Sequence, residues 1–207
     1  MIRLLLVFLL FSFFTHNSSG QGASIPQVID TADFVITKNQ SPFTIDKSIV
    51  VSEGRKLTIE DDVVVNFVTS EKYFDVRGTM VVGKGVTFNM AKDTYIKTEN
   101  SGKLEVNGTE SDSVTFTGTN WDGIRANSSG SVINYSRILN NNNNQCCDWF
   151  VKLDGSTLKN SRVANSKNGI SANNGSTLTD NKIHNIKREP LELTGNSPQE
   201  ALQYLDS

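Results

Sequence analysis

The feature that most constrains the fold of this chain is an internal repeat about twenty residues long. Residues 155–158 read Gly-Ser-Thr-Leu, and residues 175–178 repeat the same four letters. Diverged copies of this start occur at four earlier glycines, Gly54, Gly78, Gly102 and Gly130. Such a period, with apolar residues at short intervals and Gly or Asn between them, is typical of a solenoid whose coils stack. Each repeat is therefore predicted to form one coil of a parallel β-helix.

Two further columns of apolar residues repeat with the same period and are predicted to fill the core. The first column consists of Phe67, Phe88, Phe116, Ile138, Val163 and Ile183. The second consists of Phe74 and Val76, Ile96, Ile124, Phe150 or Val151, Ile170 and Leu191. Three short strands per coil are expected, and about six coils at about 4.8 Å each give a rod about 30 Å long. The predicted fold class is all-β, a single-domain, right-handed parallel β-helix over residues 51–195 with an N-terminal cap.

The repeats resemble those of secreted, pectate-lyase-like β-helix proteins, whose units have the form L..N.I.N...GI. The matching residues are Leu158, Val163, Asn165, Gly169, Ile170, Leu178, Asn181, Ile183 and Asn185. Shorter stretches at 53–60, 102–109 and 121–124 are similar to coils of extracellular β-helix proteins. The resemblance covers about residues 45–195 and implies the fold. That superfamily holds lyases, hydrolases, epimerases and non-catalytic surface proteins, so the resemblance does not select a function.

The two ends of the chain differ from the repeats. Residues 1–20 are predicted to be a secretory signal peptide, because Arg3 precedes an apolar run too short to span a bilayer and small residues follow it. Secretion is therefore expected, to the exterior, the periplasm or the cell surface. Residues 24–50 contain two prolines that interrupt the coil pattern, and they are predicted to form the N-terminal cap. Residues 196–207 are expected to form a capping helix, since Ser-Pro-Gln-Glu resembles a capping box, or a tail.

Charge and composition exclude several classes of partner. Without residues 1–20 the chain has 19 basic and 22 acidic residues, and no stretch of the linear sequence is strongly basic. Nucleic acid is therefore not an expected partner, and no membrane span or cofactor is predicted. Beyond the signal peptide the only histidine is His184, so a metal site with several histidines is not predicted. An extracellular or cell-surface polysaccharide remains the expected partner, and the sequence predicts no oligomeric state.

An insertion interrupts the repeat at residues 140–149, which read NNNNNQCCDW. Ten residues stand where other coils use five or six, so an exposed loop is expected there. Its neighbouring cysteines, Cys146 and Cys147, cannot join distant parts of the chain. They form a vicinal disulfide, remain thiols or pair with another molecule.

Carboxylates and aromatic residues recur just before the third strand of each coil. Asp93, Asp122, Asn168 and Glu189 occupy related positions, with Asp148 following the insertion, and this predicts one column along the rod. Aromatic rings beside polar groups are a mixture that binds sugars. The residues predicted to bind a ligand are Trp121, Asp122, Asn141, Asn143, Asp148 and Trp149. The alternative is structural: Asp and Asn turn the chain into the next strand, while the tryptophans pack at the corner.

Three functions are compatible with this sequence. The first hypothesis is a non-enzymatic extracellular binding or adhesion module for glycans. The second is a polysaccharide lyase or glycoside hydrolase, with Asp122 and Asp148 as acids and Arg125 or Lys152 as base or charge stabiliser. The third is an ice-binding protein, suggested by alternating threonines at 115–119, although Arg137 and Arg162 stand at the equivalent places of later coils.

Overall fold

Each turn of the chain contributes one strand to each of three parallel sheets, and about seven such turns form a β-solenoid. The computed structural model describes residues 24–141, 149–195 and 202–204. Strands are numbered in chain order. Sheet A contains β1 (Val28–Ile29), β4 (Ile49–Val51), β7 (Tyr73–Val76), β10 (Tyr95–Thr98), β13 (Gly123–Ala126), β16 (Val151–Asp154), β19 (Ile170–Asn173) and β22 (Leu191–Leu193).

The other two sheets complete each turn. Sheet B contains β2 (Phe34–Ile36), β5 (Lys56–Ile59), β8 (Thr79–Val82), β11 (Lys103–Asn107), β14 (Val132–Asn134), β17 (Thr157–Lys159) and β20 (Thr177–Thr179). Sheet C contains β3 (Phe43–Ile45), β6 (Val64–Phe67), β9 (Thr87–Met90), β12 (Val114–Gly118), β15 (Ser136–Leu139), β18 (Arg162–Ser166), β21 (Asn181–Ile186) and β23 (Leu202–Tyr204). One turn of 3-10 helix, Lys38–Gln40, lies in the first coil. Eight strands at about 4.8 Å give a rod about 34 Å tall.

The core consists of stacked apolar columns inside the three sheets, because every second residue of a strand points inward. The second predicted column is confirmed: Phe74, Ile96, Ile124, Val151, Ile170 and Leu191 are successive ladder partners. In sheet C the Phe88 and Phe116 rings stack at 4.8 Å with their planes 6° apart. Burying one such ring stabilises the fold by about 1.5–3 kcal/mol.

The first predicted column is correct except at its start. Phe88, Phe116, Ile138, Val163 and Ile183 are ladder partners. The residue paired with Phe88 is Val65, whereas Phe67 pairs with Ile45. Val65 and Phe67 both point inward, so alternation in the sequence does not distinguish these two registers.

Asparagines at one corner of the rod form a ladder of side-chain hydrogen bonds. Asn140 donates to Thr117 Oγ1 at 3.0 Å, Asn165 donates to Asn140 Oδ1 at 2.9 Å, and Asn185 donates to Asn165 Oδ1 at 2.6 Å. The three asparagines have φ of 68°, 57° and 53°. Asn tolerates this left-handed conformation better than other residues with a Cβ. The corner therefore combines a tight turn with a bond to the next coil.

Small polar residues replace apolar ones at two interior positions of the later coils. Ser136 N–H donates to Ser161 Oγ at 3.0 Å, and Ser161 N–H donates to Asn181 Oδ1 at 3.0 Å. In sheet B, Leu104 N–H donates to Ser131 Oγ at 3.0 Å. All four polar side chains are buried. Ser131, Ser161 and Asn181 each accept a backbone N–H at a corner, where an unpaired buried donor would be costly. The Ser136 hydroxyl instead donates to Asn134 O at 3.3 Å.

The two ends differ from the sequence-based expectations. Residues 24–50, predicted to be a cap, form the first regular coil, because β1, β2 and β3 pair with β4, β5 and β6. This coil raises the count from about six to about seven. At the C-terminal end Leu202–Tyr204 is a strand paired with β21 and not part of a helix. The predicted signal peptide lies outside the described residues. Among the described residues, no helix combines the length and apolar character that crossing a bilayer requires.

Candidate functional site

The outer face of sheet A brings together several residues that the sequence pointed to. Lys97, Arg125 and Lys152 are successive ladder partners in β10, β13 and β16, so their side chains stand one coil apart. Lys152 is exposed, and it takes part in none of the ion pairs found among the described residues. The two cations predicted from separate stretches, Arg125 and Lys152, are therefore neighbours.

A second column lies in the turn that precedes these strands. Extending the ladder register into the turn places Asp122, Trp149, Asn168 and Glu189 on four successive coils. Asp93 is not level with Asp122, since Asp93 pairs its N–H with Asn120 O at 2.9 Å while Asp122 N–H bonds Thr94 O at 2.8 Å. The predicted acidic column thus contains two carboxylates, an indole and an amide. We call Asp122, Arg125, Trp149 and Lys152 the sheet A site.

Two tyrosines extend this face toward the N-terminal coils. The Tyr73 and Tyr95 rings stack at 5.0 Å with planes 13° apart. The Arg125 guanidinium lies 4.7 Å from the Tyr95 ring centroid, on a neighbouring coil. Burial raises the pKa of Tyr95 above its ordinary value of 10.0, so its hydroxyl stays protonated at neutral pH. The stack fixes Arg125 and presents a neutral phenol beside it.

Asp75 is the most buried charge on this face, with 3% of its surface exposed. Its Oδ2 accepts from Arg77 Nη2 at 2.9 Å, and Lys97 Nζ lies 3.9 Å away. The hydrogen bond to Asp75 raises the pKa of Arg77. Asp75 Oδ1 is buried and has no hydrogen-bond partner among the described residues. The Asp75 carboxylate thus holds Arg77 in place, while Lys97 lies between Asp75 and Glu99, whose Oε1 is 3.2 Å from Lys97 Nζ.

Two residues predicted to bind a ligand are buried. Trp121 is fully buried: its Nε1–H donates to Leu139 O at 3.0 Å, and its ring packs edge-on against Phe150 at 4.8 Å. Asn141 is only 7% exposed. Neither side chain is accessible to a glycan, so the structural alternative is correct for Trp121. Trp149, in contrast, is half-buried and keeps part of its surface exposed.

Several predicted residues cannot be placed. Asn143, Cys146, Cys147 and Asp148 lie outside the described residues, so the vicinal disulfide and the role of Asp148 stay predictions. Within residues 24–141 and 149–195, no three His, Cys, Asp or Glu side chains come together as a metal-binding group.

Sequence analysis missed a second positive column, on the outer face of sheet C. Arg137, Arg162 and Lys182 are successive ladder partners in β15, β18 and β21, and all three are exposed. They are 25 and 20 residues apart in the sequence, so no linear basic cluster reveals them. In the same row Val64 is followed by the partners Thr87 and Thr115 and then by Arg137, hence the threonines do not continue along the rod. The ice-binding hypothesis stays a prediction.

A shallow cleft of about 600 Å³ lies on sheet B. Its lining includes Lys38, Thr58, Glu60, Val81, Lys84 and Asn107. Lys38 pairs with Asp62 at 2.8 Å, and Lys84 with Asp112 at 3.7 Å. The charges at its edge are thus already matched, and the cleft adds no group with evident chemistry.

The fold and the two columns define a parallel β-solenoid with polar and cationic outer faces. Comparisons with protein-family models, with curated proteins and with solved structures found no match for this chain.

Proposed function

We propose that this chain is a secreted, non-enzymatic binding protein for extracellular glycans, of the kind found among pectate-lyase-like β-helix proteins, and that the sheet A site is its binding surface. The observation that carries the proposal is the adjacency of two pairs, Arg125 with Lys152 and Asp122 with Trp149, on two neighbouring coils.

The spacing of these pairs suits a linear polysaccharide. Successive coils lie about 4.8 Å apart, which is close to the length of one sugar unit, so a chain running along the rod axis meets a new set of side chains at each unit. Lys152 and Arg125 supply charged donors for hydroxyl or carboxylate oxygens. The exposed part of Trp149 supplies an apolar surface for a sugar ring.

Among the described carboxylates of this column, Asp122 and Glu189 lie too far apart to act as a catalytic pair, while Asp148, the second acid of the rival enzyme, lies outside the described residues. Two acids act together at about 5–5.5 Å or about 6.5–9.5 Å. Asp122 and Glu189 are three coils apart, about 14 Å at the strand spacing. Asp93 is out of register with Asp122 and pairs with Lys92 at 3.2 Å. One observation favours the rival function: Asp122 shares its face with two cations, as an acid with a charge stabiliser would in a polysaccharide lyase or glycoside hydrolase.

A single screen tests both functions. The purified protein is assayed against acidic and neutral polysaccharides for retention and for release of reducing or unsaturated ends. We expect retention without products, and we expect Trp149→Ala and Lys152→Ala each to weaken it by about fivefold or more. Lys103→Ala, which removes an exposed cation from sheet B, is the matched control and should retain binding.

The outcomes are distinct. Product release that disappears in Asp122→Asn would establish the enzyme and overturn the binding module. Retention that is unaffected by both Trp149→Ala and Lys152→Ala would exclude the sheet A site.

A further inference from the structure

The positive column on the outer face of sheet C places like charges next to one another. Arg137, Arg162 and Lys182 are direct ladder partners, so three like charges repeat at about 4.8 Å along the rod. Like charges directly opposite each other on a sheet are unfavourable. None of the ion pairs found among the described residues involves any of the three. We call these residues the sheet C column.

Charge is unevenly distributed between the two halves of the sequence. Residues 24–124 contain 15 acidic and 10 basic side chains, whereas residues 125–207 contain 7 acidic and 9 basic ones. In the earlier coils Lys38, Lys84 and Arg77 each have a carboxylate partner. In the later coils the sheet C column keeps its charge exposed, which is the pattern of a surface that attracts anions.

One neighbouring side chain holds the central cation in place. Arg162 Nε donates a hydrogen bond to His184 Nε2 at 2.6 Å, so the imidazole accepts and is neutral in this arrangement. That bond uses one of the five guanidinium donors. The four on the terminal nitrogens remain to contact carboxylate or sulfate oxygens.

We propose that the sheet C column is a second binding surface, which takes the regularly spaced anionic groups of a sulfated or carboxylated glycan chain lying along the rod. A glycan with one anionic group per sugar repeats its charge at close to the coil spacing. The adjacent outward row of sheet C reads Thr117, Leu139, Ala164 and His184. This row holds no Phe, Tyr or Trp, and at the positions two residues before the three cations Tyr135 is the one aromatic, followed by Asn160 and Asp180. The column therefore has no succession of rings on which bases would stack, as surfaces that bind single-stranded nucleic acid do.

The experiment uses dextran sulfate as the probe, uncharged dextran as the neutral comparison and an oligothymidylate of equal charge number as the nucleic-acid comparison. We expect dextran sulfate to bind at 0.15 M salt and dextran not to bind through this surface. The variant Arg137→Gln, Arg162→Gln, Lys182→Gln should weaken dextran sulfate binding by about tenfold or more. The matched control, Lys56→Gln, Lys103→Gln, Lys159→Gln, removes the same charge from sheet B and should stay within about twofold of wild type.

A second readout follows His184 by NMR, as the only histidine beyond residue 20. Burial and the Arg162 charge lower the pKa of His184. Among the described residues, the charged groups on its face are Arg162 on β18 and Lys182 on β21, since its ladder partner is Ala164. A bound polyanion offsets their positive charge, so dextran sulfate should raise the pKa of His184 and dextran should not.

The proposal is wrong if both triple variants lose affinity equally, because net charge alone would then explain binding. Tighter binding of the oligothymidylate than of dextran sulfate would assign the column to nucleic acid and overturn the glycan. The test is independent of the sheet A site, since Trp149→Ala leaves the column intact and should retain dextran sulfate.

Discussion

The asparagine ladder at the corner of sheet C allows a substitution whose cost can be worked out from its parts. Asn165→Ala removes two side-chain hydrogen bonds, to Asn140 and from Asn185. A hydrogen bond contributes about 1 kcal/mol, and less where it is exposed, so the pair is worth about 1.5 kcal/mol. Alanine must also adopt φ of 57°, which costs a residue with a Cβ about 1–2 kcal/mol. The expected loss of unfolding free energy is about 3 kcal/mol.

A comparison with glycine separates the two contributions. Asn165→Gly loses the same hydrogen bonds but accepts the left-handed conformation. Its greater freedom in the unfolded chain offsets part of that advantage, so it should be more stable than Asn165→Ala by about 1 kcal/mol. For a chain of this size 1 kcal/mol shifts the Tm by about 2–4 °C. Thermal unfolding followed by circular dichroism should therefore rank wild type above Asn165→Gly and Asn165→Ala lowest.

Asn107→Ala serves as the control, because Asn107 is exposed at the end of β11 and its φ is not positive. It should change stability by less than about 0.5 kcal/mol. Equal Tm values for the glycine and alanine variants would show that backbone conformation contributes nothing here. Wild-type Tm values for both would show that the ladder does not stabilise the rod.

Two further predictions follow from burial and charge. Trp121→Ala should lower the unfolding free energy by about 3–5 kcal/mol, because it empties a core position. Trp149→Ala, at a half-buried site, should lower it by less than about half as much in the same denaturation assay. Equal losses of unfolding free energy in the two variants would contradict the difference in burial. The NMR titration of His184 should have its midpoint below 6.5, and Arg162→Gln should raise it by removing a positive neighbour. On acidification His184 is protonated in the unfolded chain before it is protonated in the folded one, so the free energy of unfolding should decrease as the pH falls below about 6.5. A free energy of unfolding that rises over this pH range would contradict the lowered pKa of His184.

The fold could be predicted from the sequence because equivalent residues of successive repeats are the ones that pair in the ladders. Ile96, Ile124 and Ile170 each stand one coil from the next member of their column, and stacking such columns has one compact solution. The first coil could not be recognised in the sequence, because Pro26 and Pro42 resemble residues that interrupt the coil pattern. Both prolines lie outside the strands, just before β1 and β3, where no ladder hydrogen bond needs their missing N–H.

The candidate site was less predictable because its contacts span coils. The sequence predicted Asp148 in one column with Asp122 and Trp149 beside it, whereas the ladder register places Trp149 level with Asp122. The sequence also could not show that Trp121, next to Asp122, has a hydrogen-bond acceptor at Leu139. The sheet C column left a signal that was visible in the sequence: Arg137 and Arg162 each immediately precede an inward residue, Ile138 and Val163. The positive charge that repeats in that alignment is the sequence signal of the column.

Pairing only between neighbouring coils makes the rod a stack of exchangeable modules. Gly155 and Gly175 begin two coils with the same four residues. Deleting residues 156–175 would join Gly155 to Ser176 and restore Gly-Ser-Thr-Leu at the junction, with the corner serine and the inward leucine both retained. A single in-frame deletion can therefore shorten the molecule by one coil. The number of ligand units that a face along the rod axis can contact would change with it.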